Sequence, residues 1–300
     1  MRFFDLHCDT IGECSNNNLS LRNNKLHIDL ERARVLEGYT QVFAIWIPDE
    51  LRRVFAVEYF NKTVDYFYKE IEKNSDLISL YDDKRATPVK AILAVEGASA
   101  CGGTLEGLHH LYDRGVRLIT LTWNAKNEIG CGAFSEGGLT PFGKEFIKEA
   151  EALGITLDVS HLNRQGFYEL AEIASKPFIA SHSNANIVDN EFGKKRNLDK
   201  EQIEIIKQAK GLIGLNFCRD FIEDDKAEGI DAIQRQIECF LSMGCEDVIA
   251  FGSDYDGCPV HNDVCGIDKI PSVYNALADR GIDEKILKKL FWENAEKLFR

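Results

Sequence analysis

Six residues stand out for their chemistry and for where they fall: His7, Asp9, Glu96, His161, His182 and Asp254. Each lies at the C-terminal end of a short β-branched or apolar run, with Asp256 just beyond Asp254. Side chains alternate along a strand, so His7 and Asp9 project to one side and Cys8 to the other. An H-x-D pair of this kind is a two-ligand clamp, and imidazole with carboxylate suits zinc or a similar divalent ion. His161, His182 and Glu96 bring the ligand count to five. That is too many for one tetrahedral catalytic zinc that keeps an open position. It fits two ions sharing a bridging carboxylate and a bridging water, with Glu96 on a strand between the two groups as the bridge. Two ions about 3.5–4 Å apart polarise a carbonyl and generate hydroxide near neutral pH. Asp254 remains outside this set and is suited to take a proton from the water and return it to a leaving amine. Its other readings are a sixth ligand or a helix N-cap.

These residues need a scaffold that gathers strand ends. Strand-like runs occur at 3–8, 40–47, 89–96, 115–122, 154–161, 176–182, 211–217 and 246–254. Amphipathic stretches at 51–73, 104–114, 142–153, 163–174, 199–210 and 229–243 fall between them, and two more at 272–280 and 283–298 close the chain. The segment 11–39 is less regular. Gly115, Gly154, Gly211 and Gly244 each stand between a helix and the next strand, as helix C-caps do. Buried strands separated by helices imply parallel βα units. Eight such units predict an α/β fold, a (β/α)8 TIM-type barrel, as a single domain over residues 1–300. A doubly wound open sheet is the alternative, but no G-x-G-x-x-G turn follows the first strand.

Composition narrows the function classes. The 300 residues carry 36 Lys+Arg against 49 Asp+Glu, a formal net charge of -13. Nucleic acid and anionic membrane surfaces are therefore not expected as main partners. No apolar run approaches the ~20 residues of a membrane span. The N-terminal stretch MRFFDLHCDT reads as neither signal nor transit peptide, so a cytoplasmic location is expected. Nine cysteines without a C-x-x-C pair then read as reduced, mostly buried small hydrophobes.

Taken together, the stretches DLHCDT (5–10), AVEGA (94–98), LTPFGKEFIKEAEALGITLDVSH (139–161), PFIASHS (177–183), RNLDKEQI (196–203), GLIGLNF (211–217) and FGSDYDG (251–257) resemble the membrane (renal) dipeptidase family, the M19 metallopeptidases of the amidohydrolase superfamily. They occur in family order and span nearly the whole chain. The resemblance implies a (β/α)8 barrel with two Zn2+ ions, His7 and Asp9 holding one, His161 and His182 the other, and Glu96 bridging. It makes Asp254 the catalytic aspartate and Arg196 the grip on the C-terminal carboxylate of a dipeptide, a task that suits a guanidinium fork. It implies tolerance of a D-residue at the second position and, commonly, a homodimer. The same ligands accept cobalt or manganese.

The sequence also departs from the family. Mammalian members end the fourth strand L-T-H, and that histidine touches substrate; here the strand ends Leu121, Thr122, Trp123. Trp123 offers one indole N–H, and the neighbouring Asn124 an amide donor, as substrate-side replacements. Gly97 and Ala98 stand where a Gly-Gly-His run is common. The loop from His182 to Arg196 is slightly longer. A related amidohydrolase acting on a lactam, lactone or cyclic amide is a second reading. The H-x-H first strand and the lysine ending the fourth strand, usual in that branch, are missing here. A non-catalytic metal- or ligand-binding barrel is a third, supported only by Trp123. His27, Asp29, His109 and His110 read as structural, His261 mostly so, and the glycine-rich loop 123–138 as a border of the substrate site.

Overall fold

The computed structural model describes residues 1–299. Its single sheet is parallel and contains β1 (Arg2–Cys8), β2 (Gly38–Trp46), β3 (Ile78–Leu80), β4 (Val89–Glu96), β5 (Val116–Thr120), β6 (Thr156–Asp158), β7 (Ile213–Leu215) and β8 (Ile249–Phe251). The order is β6-β5-β4-β2-β1-β8-β7. The ring closes through residues 179 and 180. Ile179 bridges Asp158 of β6, and Ala180 bridges Ile213 of β7, both in parallel sense. The fold is a (β/α)8 barrel.

The sixth run, expected as a strand over 176–182, keeps only these two bridges. Beyond Ala180 the chain presses onto β7 and β8. A Cβ on Gly214 or Gly252 would lie 1.9 or 1.7 Å from the Ser181 carbonyl oxygen, so that close approach requires glycine. One strand was not anticipated. β3 pairs with the lower part of β4, Val89–Ala91, while β5 pairs with its upper part, Leu93–Glu96.

Side chains sort by strand alternation. Phe4, Leu6, Val42, Ala44, Ile92, Ala94, Leu118 and Ala250 fill the barrel interior. Phe3, Phe43, Leu93, Ile119, Ile213 and Ile249 pack outward in the larger core formed with the helices. Trp292 and Ala295 near the C-terminus join the interior cluster and plug the lower end, with Phe4 5.7 Å from Trp292 and 5.5 Å from Phe299. The open upper end carries the strand C-termini, where barrel chemistry sits.

Three local results differ from expectation. Residues Glu191–Arg196 form a short helix, capped by the Asn190 side chain, rather than a loop. Around His27 and Asp29 only one 3-10 turn forms, Arg32–Val35. The C-terminal stretch is Glu284–Lys288 and Asn294–Phe299 joined by a π-helical turn, Lys289–Glu293. Among the described residues no helix is long and apolar enough to cross a membrane. All nine cysteines are free.

Candidate active site

β1 aims the first pair of residues by breaking its own alternation. Phe4 and Leu6 point into the barrel, which by strict period 2 would turn Cys8 inward and His7 outward. The register with β2 shifts between Asp5 and Cys8. Cys8 packs in the outer core, and His7 turns to the barrel mouth. A bulge of this kind re-aims side chains. Asp5, fully buried below, accepts from the backbone N–H groups of His7 (3.3 Å) and Ser253 (2.8 Å) and from the Ser253 hydroxyl (2.6 Å). It pins the end of β1 to the segment after β8.

The other residues converge on His7. Its Nε2 lies 3.4 Å from Asp9 Oδ2, 3.5 Å from Glu96 Oε2 and 3.9 Å from Asp254 Oδ1. The second Glu96 oxygen, Oε1, lies 2.9 Å from His161 Nε2 and 3.5 Å from His182 Nε2. Glu96 thus turns one oxygen to each histidine group. The His7 and His182 rings are 3.9 Å apart between centroids. His7–Glu96–His182 and His7–Asp9–Asp254 each bring their ligand atoms within 4.8 Å of one another.

Each second histidine is oriented through its other ring nitrogen. His161 Nδ1 is 3.0 Å from Asn124 Oδ1. His182 Nδ1 is 2.7 Å from Ser181 Oγ, which donates to Asp158 Oδ2 at 2.5 Å, where the Thr120 hydroxyl also donates. These contacts present the Nε2 atoms to Glu96. Asp254 is held by the Asn216 amide, which donates to its Oδ2 at 2.9 Å. The next turn is locked by Asp256. Its side chain accepts from Thr10 Oγ1 (2.6 Å) and the His27 N–H (2.7 Å), and its own N–H donates to His27 Nδ1 (2.9 Å). His161, Asp254 and Asp256 are three of the six non-glycine residues with positive φ among the described residues. Left-handed backbone costs about 1 kcal/mol or more at each and is held here by these contacts.

The electrostatics fit a cation. His7 Nδ1 and Nε2, Asp9 Oδ1 and His182 Nε2 are buried and make no hydrogen bond. Such unpaired atoms are costly unless they have another partner, and donors of this chemistry are metal ligands. Burial would raise Glu96, but His7 and His161 outweigh it and hold the carboxyl well below its usual range. Burial, with the neighbouring Glu96 and Asp254 charges, pushes Asp9 up to about 7. Burial and the Arg196 charge push His161 down to about 3, so its imidazole is neutral. Burial would lower His7, but the Glu96 and Asp9 carboxylates carry it well above the ordinary histidine value. Gly257 leaves room over this cluster. A Cβ there would sit 2.2 Å from Asp9 Oδ2 and 2.5 Å from Asp254 Oδ1.

Above the cluster opens a cavity of about 530 Å³, lined by Asp9, Glu96, His161 and Asp254 and walled by Trp46, Trp123, Phe134, Phe192 and Phe221. The volume suits a small ligand. Trp123 packs edge-on to Trp46, centroids 4.9 Å apart, and 6.2 Å from the His161 ring. Arg196, buried, lines an adjoining cavity of about 590 Å³ that shares His161 as a wall. Its guanidinium carbon lies 5.1 Å over the Phe221 ring, and its Nε has no partner.

With this geometry in hand, comparison with known proteins places the chain. A family described as membrane dipeptidase, peptidase family M19, matches residues 1–300. The chain belongs to the M19 membrane dipeptidase family. An uncharacterized protein in the pqqA 5′ region of Klebsiella pneumoniae is 33% identical over 223 residues, covering 70% of this chain and 81% of its own. Among solved structures, a metallopeptidase from Rhodobacter sphaeroides liganded with a phosphinate mimic of the dipeptide L-Ala-D-Ala aligns at TM-score 0.91 and 25% identity, over 99% of this chain and 98% of that one. A second M19 metallopeptidase, dipeptidase AC, aligns at TM-score 0.88 and 25% identity over 99% and 97%. The fold and hydrolase family expected from the M19 motifs are those found.

The structure brings together the six residues singled out by strand-end position. Asn124, expected on the substrate side, lines the cavity but also holds His161. His261 is not among the cavity-lining residues and instead caps the turn Asn262–Val264 by accepting from the Asp263 N–H. His109 pairs with Glu149 and His110 with Asn61 on the outer surface. Asp29 binds Arg32. The orienting residues Asp158, Ser181 and Asn216 were not anticipated; His27, read as structural, and Asp256, noted just beyond Asp254, hold one another. Asn216, an amide inside the apolar run GLIGLNF, and Asp158, a carboxylate inside a buried strand, were the available signals.

Proposed function

We propose that this M19 protein is a binuclear metallodipeptidase. His7 and Asp9 would hold one divalent ion, His161 and His182 the other, and Glu96 both. The observation that carries this is the split of the Glu96 carboxylate, one oxygen toward each histidine group. Zinc fits the mixed imidazole and carboxylate donors best. Ions bound there supply Lewis-acid polarisation of a peptide carbonyl and a water acidified to near neutral pH.

The protein's own groups do the rest. Burial would raise Asp254, but His182 and His7 outweigh it and keep the carboxyl below its usual value. Asp254 is therefore ionised and able to accept a proton from the attacking water. The Asn216 amide fixes one of its oxygens and leaves Oδ1 on the cluster side, from which the proton passes to the leaving nitrogen. Arg196 binds the free carboxylate of the substrate, with its unpartnered Nε available for that fork. This restricts substrates to short peptides. Trp123 forms an aromatic wall beside His161. The phosphinate mimic of L-Ala-D-Ala in the Rhodobacter sphaeroides metallopeptidase supports dipeptide substrates with a D-residue in second position. The free cysteines and acidic surface support a reducing, cytoplasmic setting, and a homodimer is the assembly the family resemblance suggests.

The test is a panel of L,L- and L,D-dipeptides on metal-loaded protein, with elemental analysis. Two ions per chain and dipeptide turnover are expected. Asp254→Asn should keep the metal and lose turnover by at least about 10²-fold. Fewer than two ions at full loading, or an active Asp254→Asn enzyme, refutes the reading.

A further inference from the structure

The mouth of the cavity carries an unusual surface. Among the described residues only five large hydrophobic side chains are exposed, and two of them, Phe134 (41%) and Phe192 (55%), meet here. Their ring centroids are 6.0 Å apart. They come from separate segments. Phe134 lies on the loop 123–138, and Phe192 on the short helix Glu191–Arg196. Both line the cavity that ends on Glu96, His161 and Asp254. They are therefore walls of a concave site and not a flat patch.

Their mounts are fixed. The Phe134 N–H donates to the Asn124 carbonyl at 3.1 Å, and the neighbouring Ala133 N–H donates to the His161 carbonyl at 2.8 Å. Phe192 lies four residues before Arg196 on one helix, so the two share a face. The Phe221 ring lies beneath the Arg196 guanidinium, and its carbonyl accepts from Asn197 Nδ2 at 2.8 Å. Phe192 and Phe221 thus flank Arg196 where the adjoining cavity meets this one, and Phe134 joins them through its contact with Phe192.

We infer that Phe134 and Phe192 form the subsite for the side chain of the substrate's C-terminal residue, and that the enzyme selects dipeptides whose second residue is large and apolar, aromatic above all. The inference rests on the dipeptidase reading and on Arg196 as the carboxylate grip. A carboxylate held by Arg196 leaves its own Cα, and the side chain on that Cα, next to these rings. Covering two exposed aromatic faces with an apolar side chain removes apolar surface from water on both sides, and ring–ring contact adds to it. A charged second residue gains none of this and would lose hydration. Lys195 Nζ, 5.1 Å from the Phe134 ring centroid, lines the adjoining cavity with Arg196 and not the cavity that Phe134 and Phe192 wall.

The experiment uses the full-length metal-loaded protein and the series Ala-Ala, Ala-Leu, Ala-Phe, Ala-Asp and Ala-Lys, each with L and D second residues. The expected kcat/KM for Phe and Leu exceeds that for Ala, Asp and Lys by about tenfold or more in at least one configuration, the scale a hydrophobic pocket can deliver. The double variant Phe134→Ala/Phe192→Ala should bring the Phe-to-Ala ratio within about threefold, while Phe192→Leu preserves it. Calorimetric binding of the product amino acids phenylalanine and alanine gives a readout independent of turnover, with the same order expected. A wild-type ratio within threefold, or a preference for Asp or Lys, overturns the inference whether or not the variants fold, and leaves the dipeptidase reading intact. Absence of cleavage of every dipeptide overturns the dipeptidase reading instead, and the product-binding series then decides the subsite by itself.

Discussion

Gly257 lies beside both Asp9 and Asp254, which makes it a sensitive place to test the geometry proposed for them. It is not among the glycines with positive φ, so its backbone accepts alanine. The added methyl is what matters. It would lie 2.2 Å from Asp9 Oδ2 and 2.5 Å from Asp254 Oδ1, where real contacts stay above 3.0 Å. Asp9 must therefore retreat by about 0.8 Å and Asp254 by about 0.5 Å, several times the ±0.2 Å tolerance of ligand distances. Both obstacles are side-chain ends, so the fold survives, and the site gives way instead. A displacement approaching 1 Å costs on the order of 10²-fold in rate. Gly257→Ala should thus lose about 10- to 100-fold in kcat/KM on the preferred dipeptide and weaken metal retention at the His7–Asp9 pair, with an unchanged melting transition. Steady-state kinetics, metal content after dialysis and a thermal melt check this. Gly12→Ala is the control, since a Cβ there meets nothing within 4 Å in the helix Thr10–Asn17. It should keep full activity and gain roughly 0.5–1 kcal/mol in stability. A Gly257→Ala enzyme within threefold of wild type, holding two ions, would refute the proposed cluster geometry.

Asp158→Asn breaks the Asp158–Ser181–His182 chain and should weaken binding of the second ion by about 10- to 100-fold in a chelator competition; unaltered stoichiometry and affinity would remove Asp158 from that role. Metal binding should release protons, because Asp9, pushed up to about 7, and His7, well above its usual value, must lose theirs to become ligands. Apparent affinity should therefore fall about tenfold or more per pH unit below 7, and dye-monitored titration near pH 6.5 should count at least one proton; a pH-independent affinity contradicts the ligand assignment. Arg196→Met should raise KM for free dipeptides and abolish the preference for them over their C-terminal amides, whereas equal preference in the wild type would exclude a carboxylate grip there.

The sequence exposes the barrel because its signals are repeated. Eight apolar runs, glycine at helix ends and ligands at strand ends all agree, and only the extra strand Ile78–Leu80 and the near-missing sixth strand depart. β3 lies in a run of only four residues, 77–80, between Asp76 and Asp82, whereas the equally short β6, β7 and β8 sit in strand-like runs about twice as long; the sixth run carries Pro177 and the S-H-S segment that bends onto β7 and β8. The candidate cluster of His7, Asp9, Glu96, His161, His182 and Asp254 is legible for a different reason, since imidazoles and carboxylates are rare at the ends of buried strands unless they bind something. What holds them in place is not legible. Ser181, Asn124 and Asn216 are common polar residues whose partners lie 1, 37 and 38 positions away in sequence, and only the closed ring brings the distant pairs together. The aromatic rim was hidden for the same reason, with Phe134 and Phe192 separated by two helices, Pro141–Leu153 and Arg164–Ile173, and the strand between them.

His7, His161 and Asp254 are aimed by departures from regular structure, whereas Glu96 continues the inward alternation of Ile92 and Ala94 on β4. A strand of perfect alternation would send His7 outward with Phe3, and it is the register shift before Cys8 that turns it to the barrel mouth. His161 and Asp254 reach the centre from left-handed backbone that ordinary residues avoid. Each departure is bonded to a neighbour that also touches the cluster. Asp5 fixes the end of β1 and the Ser253 backbone together, and the Asp254 N–H returns to the His7 carbonyl at 3.2 Å. The strain and the site are therefore coupled. A substitution that relaxes the β1 bulge or the Asp254 turn would gain local backbone stability and lose alignment of His7 with Asp254 at the same time, which is why stabilising changes near residues 5–9 and 253–257 should reduce activity rather than leave it unchanged.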